Sequence, residues 1–154
     1  MIAKIKELIE IKEMTISNLN DVYNLEIKTY EYPWSKNILR GCVINKYDCF
    51  VATINKKIIG YLIAKISSPE SNILNLTTDV NYRNIGIASQ FLEMVILKCR
   101  LVKSNIIFLE TRLSNSSAIS LYIKFGFKEI GVRQNYYKSK NGREDAVIFS
   151  MSVT

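Results

Sequence analysis

Phe108-Leu109-Glu110-Thr111-Arg112-Leu113-Ser114-Asn115-Ser116-Ser117-Ala118-Ile119-Ser120-Leu121-Tyr122, closed by Gly126-Phe127, is the stretch on which the reading of this chain turns. Asn105 to Glu110 is short and mostly apolar, the pattern of a buried strand. Ser114 or Asn115 then supplies a helix cap, and Gly126 supplies the left-handed position at which a helix stops. A carboxylate thus stands at the carboxyl end of a strand, where open sheets gather their reactive groups, and the phenol of Tyr122 lies two helical turns beyond the cap.

Upstream, Ala88, Phe91, Leu92, Val95, Ile96 and Cys99 fall at offsets 0, 3, 4, 7, 8 and 11, which predicts a helix with one buried face. Ser71 to Thr78 predicts the strand before it. Asp48 to Ile54 and Ile58 to Ile66 predict an antiparallel hairpin turning at Asn55-Lys56-Lys57. Nearer the start, Glu7 to Met14 alternates loosely as a first strand. Ser17 or Asn18 caps a helix reaching Tyr30, and Ser35 caps another reaching Asn45.

Downstream, Phe127 to Arg133 and Ala146 to Val153 predict two closing strands. The connection between them, through Tyr136 to Gly142, includes the turn-forming pair Asn141-Gly142 but is longer than two residues. The order of elements predicts an α/β chain of the α+β kind, with a central mixed sheet and helices on both faces.

The 154 residues fit one domain, 1–154, with 48% hydrophobic and 23% charged residues and no repeat or low-complexity segment. No apolar run has the length of a membrane span, and charge interrupts Met1 to Glu7, so a cytoplasmic protein without membrane attachment is expected. Cys42, Cys49 and Cys99 have no C-x-x-C spacing, which predicts idle thiols and no metal. The chain has no histidine, which excludes Ser-His-Asp and Cys-His systems and leaves proton transfer to carboxylates, phenols, thiols, lysines or water. A net charge of +7 favours anionic partners, although solvated surface lysines explain such an excess equally well.

Arg83-Asn84-Ile85-Gly86-Ile87-Ala88 lies where the amphipathic helix begins, and a helix start of this kind attracts phosphate through its N–H groups and dipole. One glycine and no Gly-Lys-Ser/Thr argue against a Rossmann or Walker loop. This R-x-x-G-x-A segment after strand Ser71 to Thr78 resembles the acetyl-coenzyme A signature of the GCN5-related N-acetyltransferase (GNAT) family, and the resemblance covers nearly the whole chain. It implies the acyl-CoA N-acyltransferase fold, acetyl-CoA as donor, and pyrophosphate contacts from Arg83, Asn84, Ile85, Gly86, Ile87, Ala88 and Ser89. It also implies that the backbone of Leu76, Thr77 and Thr78 pairs with the pantetheine arm. The sequence departs from the family with Val80 at a position that is often proline and Thr78 at one that is often valine.

Acetylating an amine requires a neutral nucleophile, a proton acceptor, stabilisation of the oxyanion and an acid for the leaving thiolate. Glu110 and Tyr122 are the leading candidates. Around them the chain resembles the branch of the family that acetylates the amino-terminal alanine of small-subunit ribosomal protein eighteen. The likeness runs through Tyr32-Pro33-Trp34-Ser35, the Asn75-centred strand, Leu109 to Arg112, Ser114-Asn115, Ala118-Ile119, Leu121-Tyr122, Gly126-Phe127, Arg133 to Tyr137 and Gly142 to Ala146.

That resemblance implies that Glu110 accepts the proton, Tyr122 donates one and Asn115 holds the coenzyme arm. Tyr32, Trp34, Tyr136, Tyr137, Glu144 and Asp145 then fall beside the acceptor, aromatics and carboxylates being suited to a cationic peptide terminus. It further implies a monomer with no specific nucleic-acid partner. A peptide terminus has a pKa of about 8 against about 10.4 for lysine, so its deprotonation costs about 3 kcal/mol less. A carboxylate acting through water suits that substrate. Other protein termini, small amines, and a noncatalytic coenzyme-sensing or RNA-associated module stay open alternatives.

Overall fold

The computed structural model describes residues 2–153. In chain order its elements are α1 (Ile2–Glu7), β1 (Glu10–Glu13), α2 (Leu19–Thr29), α3 (Lys36–Ile44), β2 (Asp48–Ile54), β3 (Lys57–Lys65), β4 (Glu70–Thr78), α4 (Ile87–Leu101), β5 (Ile106–Arg112), α5 (Ser116–Phe125), β6 (Lys128–Ser139) and β7 (Gly142–Ser152). The strands form one seven-stranded sheet in the order β1-β2-β3-β4-β5-β7-β6. The β1–β2, β2–β3, β5–β7 and β6–β7 ladders are antiparallel and the β4–β5 ladder is parallel, giving the mixed sheet flanked by helices that the sequence predicts.

Two sequence expectations need correction. The first strand starts at Glu10, and Ile2–Glu7 is a helix with Lys4 and Lys6 in its last turn, where cations complement the dipole. The connection between the last two strands is only Lys140-Asn141, because β6 and β7 pair as far as Ser139↔Gly142. Gly142, at φ +113°, is the left-handed residue of this turn.

By its internal contacts the chain divides into two compact units, Met1–Lys65 with Asn75–Met94, and Ile66–Leu74 with Val95–Thr154. In the first, α2 and α3 bury Leu19, Val22, Leu25, Leu39 and Cys42 against Val51, Tyr61 and Ile63 of β2 and β3. Each fully buried aliphatic side chain of this kind contributes about 1.5–3 kcal/mol. Gly60 on β3 permits a close approach within this unit. A Cβ there would stand 3.0 Å from the Thr77 carbonyl oxygen, 3.1 Å from Ile87 and 3.5 Å from Phe91. The first turn of α4 therefore lies tightly beside the end of β4.

In the second unit, β5 pairs with β4 from Glu70↔Ile106 to Ile73↔Leu109 and with β7 from Ile106↔Ser152 to Arg112↔Ala146. Its burial alternates, with Ile107, Leu109 and Thr111 inward and Glu110 and Arg112 on the wetter face. Asn115 caps α5 by accepting from the Ala118 N–H at 3.3 Å, and Gly126 ends the helix at φ +103°. The Phe127 N–H returns to the Tyr122 carbonyl at 3.0 Å, completing the C-terminal cap.

Candidate active site

The residues singled out from the sequence fall into two groups, one in each unit. In the first unit, a 3-10 turn at Val80–Tyr82 separates β4 from α4, and its N-cap Asp79 accepts from the Asn81 N–H at 3.0 Å and from Lys28 Nζ at 2.9 Å. Burial pushes the Asp79 carboxyl up, but these two donors outweigh it and hold the group below its ordinary value. The chain then turns through Asn84 (φ +64°) and Gly86 (φ +93°), two left-handed residues that bend the backbone around the start of α4.

The first hydrogen bond of α4 runs from the Gln90 N–H to the Gly86 carbonyl at 3.0 Å, so the amides of Ile87, Ala88 and Ser89 precede the helical ladder. The first turn carries no carboxylate to offset the positive end of its dipole. A side chain on Gly86 would meet Lys6, whose Cε lies 3.0 Å and Nζ 3.4 Å from the position of the missing Cβ. A bare glycine, a helix start, an ammonium and the nearby Arg83 suit the diphosphate of a coenzyme. Lys6 was not singled out from the sequence, because its helix carries no cap signal.

Beside that turn, Tyr30 OH lies 2.8 Å from Thr77 Oγ1 on β4. Burial holds the Tyr30 phenol above its ordinary value, reinforced by the charge of Glu26 and opposed by Thr77 and by Arg83. Trp34 packs on the α2–α3 core, while Tyr32 is more exposed. The three cysteines are buried. Burial, with Cys42 and Asp48 nearby, pushes Cys49 up to about 12, which keeps it a thiol at neutral pH.

In the second unit, Glu110 Oε1 accepts from Arg133 Nε at 2.6 Å, with the two side chains 25% and 56% exposed. The hydrogen bond and charge of Glu110 hold the Arg133 guanidinium above its ordinary value. Arg112, two residues further along the same strand, pairs with Glu144. Its Nη1 donates to Glu144 Oε1 at 2.8 Å and to the Lys138 carbonyl at 2.7 Å, and its guanidinium lies 4.6 Å from the Tyr137 ring centre. Glu144 also accepts from the Ser114 N–H at 3.3 Å. Burial raises its carboxyl, yet Arg112 and Ser114 hold it below the ordinary value.

Tyr136 and Tyr137 meet edge to face at 4.9 Å, and Arg133 lies 5.7 Å from the Tyr136 ring centre. Burial, together with the charge of Glu110, pushes the Tyr137 phenol up to about 12, so it stays protonated. Asp145 Oδ1 accepts from the Asn135 N–H at 2.9 Å, fixing the irregular strand at that left-handed residue. Tyr122 is 7% exposed and packs 5.8 Å from Phe127 and 6.1 Å from Phe149. The structure thus gathers Glu110, Tyr136, Tyr137, Glu144 and Asp145 with two arginines, and seats Tyr122 and Asn115 on the adjoining helix.

Comparison with known proteins bears on the family and the fold. The acetyltransferase (GNAT) domain model matches residues 45–129, drawing on both units. The ribosomal protein bS18-alanine N-acetyltransferase of Escherichia coli strain K12 is 30% identical over 144 residues, 94% of this chain and 97% of that protein. The crystal structure of the ribosomal-protein-S18-alanine N-acetyltransferase from Escherichia coli superposes with a TM-score of 0.88 at 29% identity, covering 95% of this chain and 94% of that one. The NatC complex bound to Gag peptide and CoA has a chain that is 26% identical, with a TM-score of 0.82 and coverage of 95% and 99%. With a domain match over more than half its length and a full-length relative of this similarity, the chain belongs to the GNAT family and is an N-acetyltransferase.

Proposed function

We propose that the chain, as one cytoplasmic and monomeric acetyltransferase domain, transfers the acetyl group of acetyl-CoA to the amino-terminal alanine of ribosomal protein bS18. The observation that carries this reading is the 30% identity to the bS18-alanine enzyme over 94% of the chain. Acetyl-CoA supplies an activated thioester when bound. In this reading the amides and side chains of Arg83 to Ser89 bind its diphosphate, the backbone of Leu76 to Thr78 orients the pantetheine arm, and Asn115 is the residue assigned to hold that arm.

Glu110 takes the proton of the incoming α-amine through water. Its Oε1 is engaged by Arg133, so the reading assigns proton acceptance to Oε2. A carboxylate one quarter exposed, on the wetter face of its strand, is open to such a water. Tyr122 returns a proton to the departing sulfur. A phenol near 10 facing a thiol near 8.5 has only a modest uphill gap, which fixed geometry reduces.

Tyr32, Trp34, Tyr136 and Tyr137 offer aromatic faces to the cationic peptide terminus. Glu144 and Asp145 serve the same acceptor mainly by fixing the β6–β7 hairpin through Arg112, Ser114 and Asn135. Mass spectrometry of ribosomal-protein amino termini from cells with and without this gene tests the substrate. The bS18 terminus should lose its acetyl group without the gene. An equally acetylated terminus in both would remove this acceptor while leaving the acetyltransferase family intact.

A further inference from the structure

Glu26 on α2 is a carboxylate that the chemistry above does not use, although it is only 2% exposed. Its Oε2 accepts from the backbone N–H of Trp34 at 2.8 Å. Its Oε1 accepts from the Tyr61 hydroxyl and from Asn75 Nδ2, the latter at 3.2 Å. Asn75 Oδ1 in turn accepts from Thr77 Oγ1 at 2.7 Å, and Tyr30 OH lies 2.8 Å from that same Thr77 oxygen.

The polarity of the chain follows from its donors. The single Thr77 hydroxyl proton goes to Asn75, so Tyr30 must donate to Thr77. Every proton then points toward Glu26, whose two oxygens are the acceptors that end the chain. The circuit begins at Tyr30 and returns at Trp34, so both ends lie in the segment between α2 and α3, while its middle passes through Asn75 and Thr77 of β4. Burial holds the Glu26 carboxyl above its ordinary value, and the donors from Trp34 and Asn75 oppose that shift.

We propose that Glu26 is a positioning residue: as the terminal acceptor of this circuit it fixes the segment carrying Tyr32 and Trp34 to the stretch of β4 that holds the coenzyme arm, and thereby sets acceptor affinity. The inference rests on the assignments of those two segments made above. Glu26→Gln keeps the volume but replaces one acceptor oxygen with a donor, so the circuit cannot keep its polarity. Tyr30→Phe removes the far end of the circuit alone. Tyr61→Phe removes a donor to Glu26 and leaves both loop ties in place.

The test uses the full chain with two readouts, the KM for a peptide carrying the bS18 amino terminus and acrylamide quenching of Trp34, the only tryptophan of the sequence. Glu26→Gln should raise peptide KM roughly tenfold, equivalent to about 1.4 kcal/mol. It should also raise the quenching constant, with the KM for acetyl-CoA changed less than threefold. Tyr30→Phe should move both peptide KM and quenching in the same direction by smaller factors, and Tyr61→Phe should change peptide KM by less than twofold.

Unchanged peptide KM and quenching in folded Glu26→Gln would overturn the proposal. So would a Tyr61→Phe variant matching Glu26→Gln, since that would reduce the effect to a general loss of core stability. If Glu26→Gln fails to fold, Tyr30→Phe decides alone, and parental values for both readouts overturn the proposal. If the parent acetylates no such peptide, the substrate reading fails, and the quenching comparison still decides whether Glu26 holds the loop.

Discussion

Glu110→Gln should lower turnover roughly a hundredfold at neutral pH, the size of effect expected for a lost general base, and the deficit should widen as the pH falls. The widening comes from the acceptor. A peptide terminus with pKa about 8 is roughly one tenth neutral at pH 7 and one hundredth at pH 6, so the need for a proton acceptor grows in acid. Gln fills the same space and keeps an oxygen for Arg133, but an amide takes no proton. A pH profile of kcat/KM that runs parallel to that of the parent would remove Glu110 from the base role.

The ion pair with Arg133 provides the necessary control. If Glu110 mattered only by anchoring Arg133, then Arg133→Ala, which leaves the carboxylate in place, would cost as much as Glu110→Gln. Exposed ion pairs contribute little, and Arg133 is more than half exposed, so the expected loss in Arg133→Ala is several times smaller.

Tyr122→Phe is the second large effect. Turnover should fall roughly a hundredfold while the KM values for acetyl-CoA and peptide change by less than about threefold, because the hydroxyl acts in the chemical step and not in binding. The ring contacts with Phe127 and Phe149 survive the change. Steady-state kinetics with a thermal melt checks both points. Unchanged turnover in a well-folded variant would exclude Tyr122 as the acid, and a sharp loss of stability would recast it as a packing residue.

Much of the fold was legible where local signals and burial agree. The α4 periodicity, the Ser35 and Asn115 caps and the Gly126 stop all appear at or within a residue or two of their predicted places, because one buried face and one capping side chain determine each. The errors lie where burial is weak. β1 is an edge strand of four residues, Glu10–Glu13, three of them exposed, and the apolar pattern that places a strand was too faint to exclude Glu7 from it. β6 is also an edge strand and mostly exposed, so its polar second half read as loop.

For the candidate active site, the sequence offers residue types but not their partnerships. Arg133 pairs with Glu110 because β7 sets Arg112 and Arg133 opposite the same residue, Ala146, a register that depends on irregularities at Glu129/Gly131 and Arg133/Tyr137. No local pattern encodes those irregularities. Glu26 was missed for a related reason. An acidic residue on an amphipathic helix reads as solvent-facing, and only the tertiary arrangement of Tyr61, Asn75 and the Trp34 amide makes its burial tolerable.

The central claim is transfer of an acetyl group to a peptide α-amine. The most direct measurement offers the purified chain acetyl-CoA and two peptides in equal amount, one with the bS18 sequence and its free amino-terminal alanine, the other blocked at the α-amine and bearing a free lysine. Fragment mass spectra should place a single acetyl group on the alanine nitrogen of the first peptide and leave the second unmodified. Acetylation of the lysine with the alanine untouched would contradict the account.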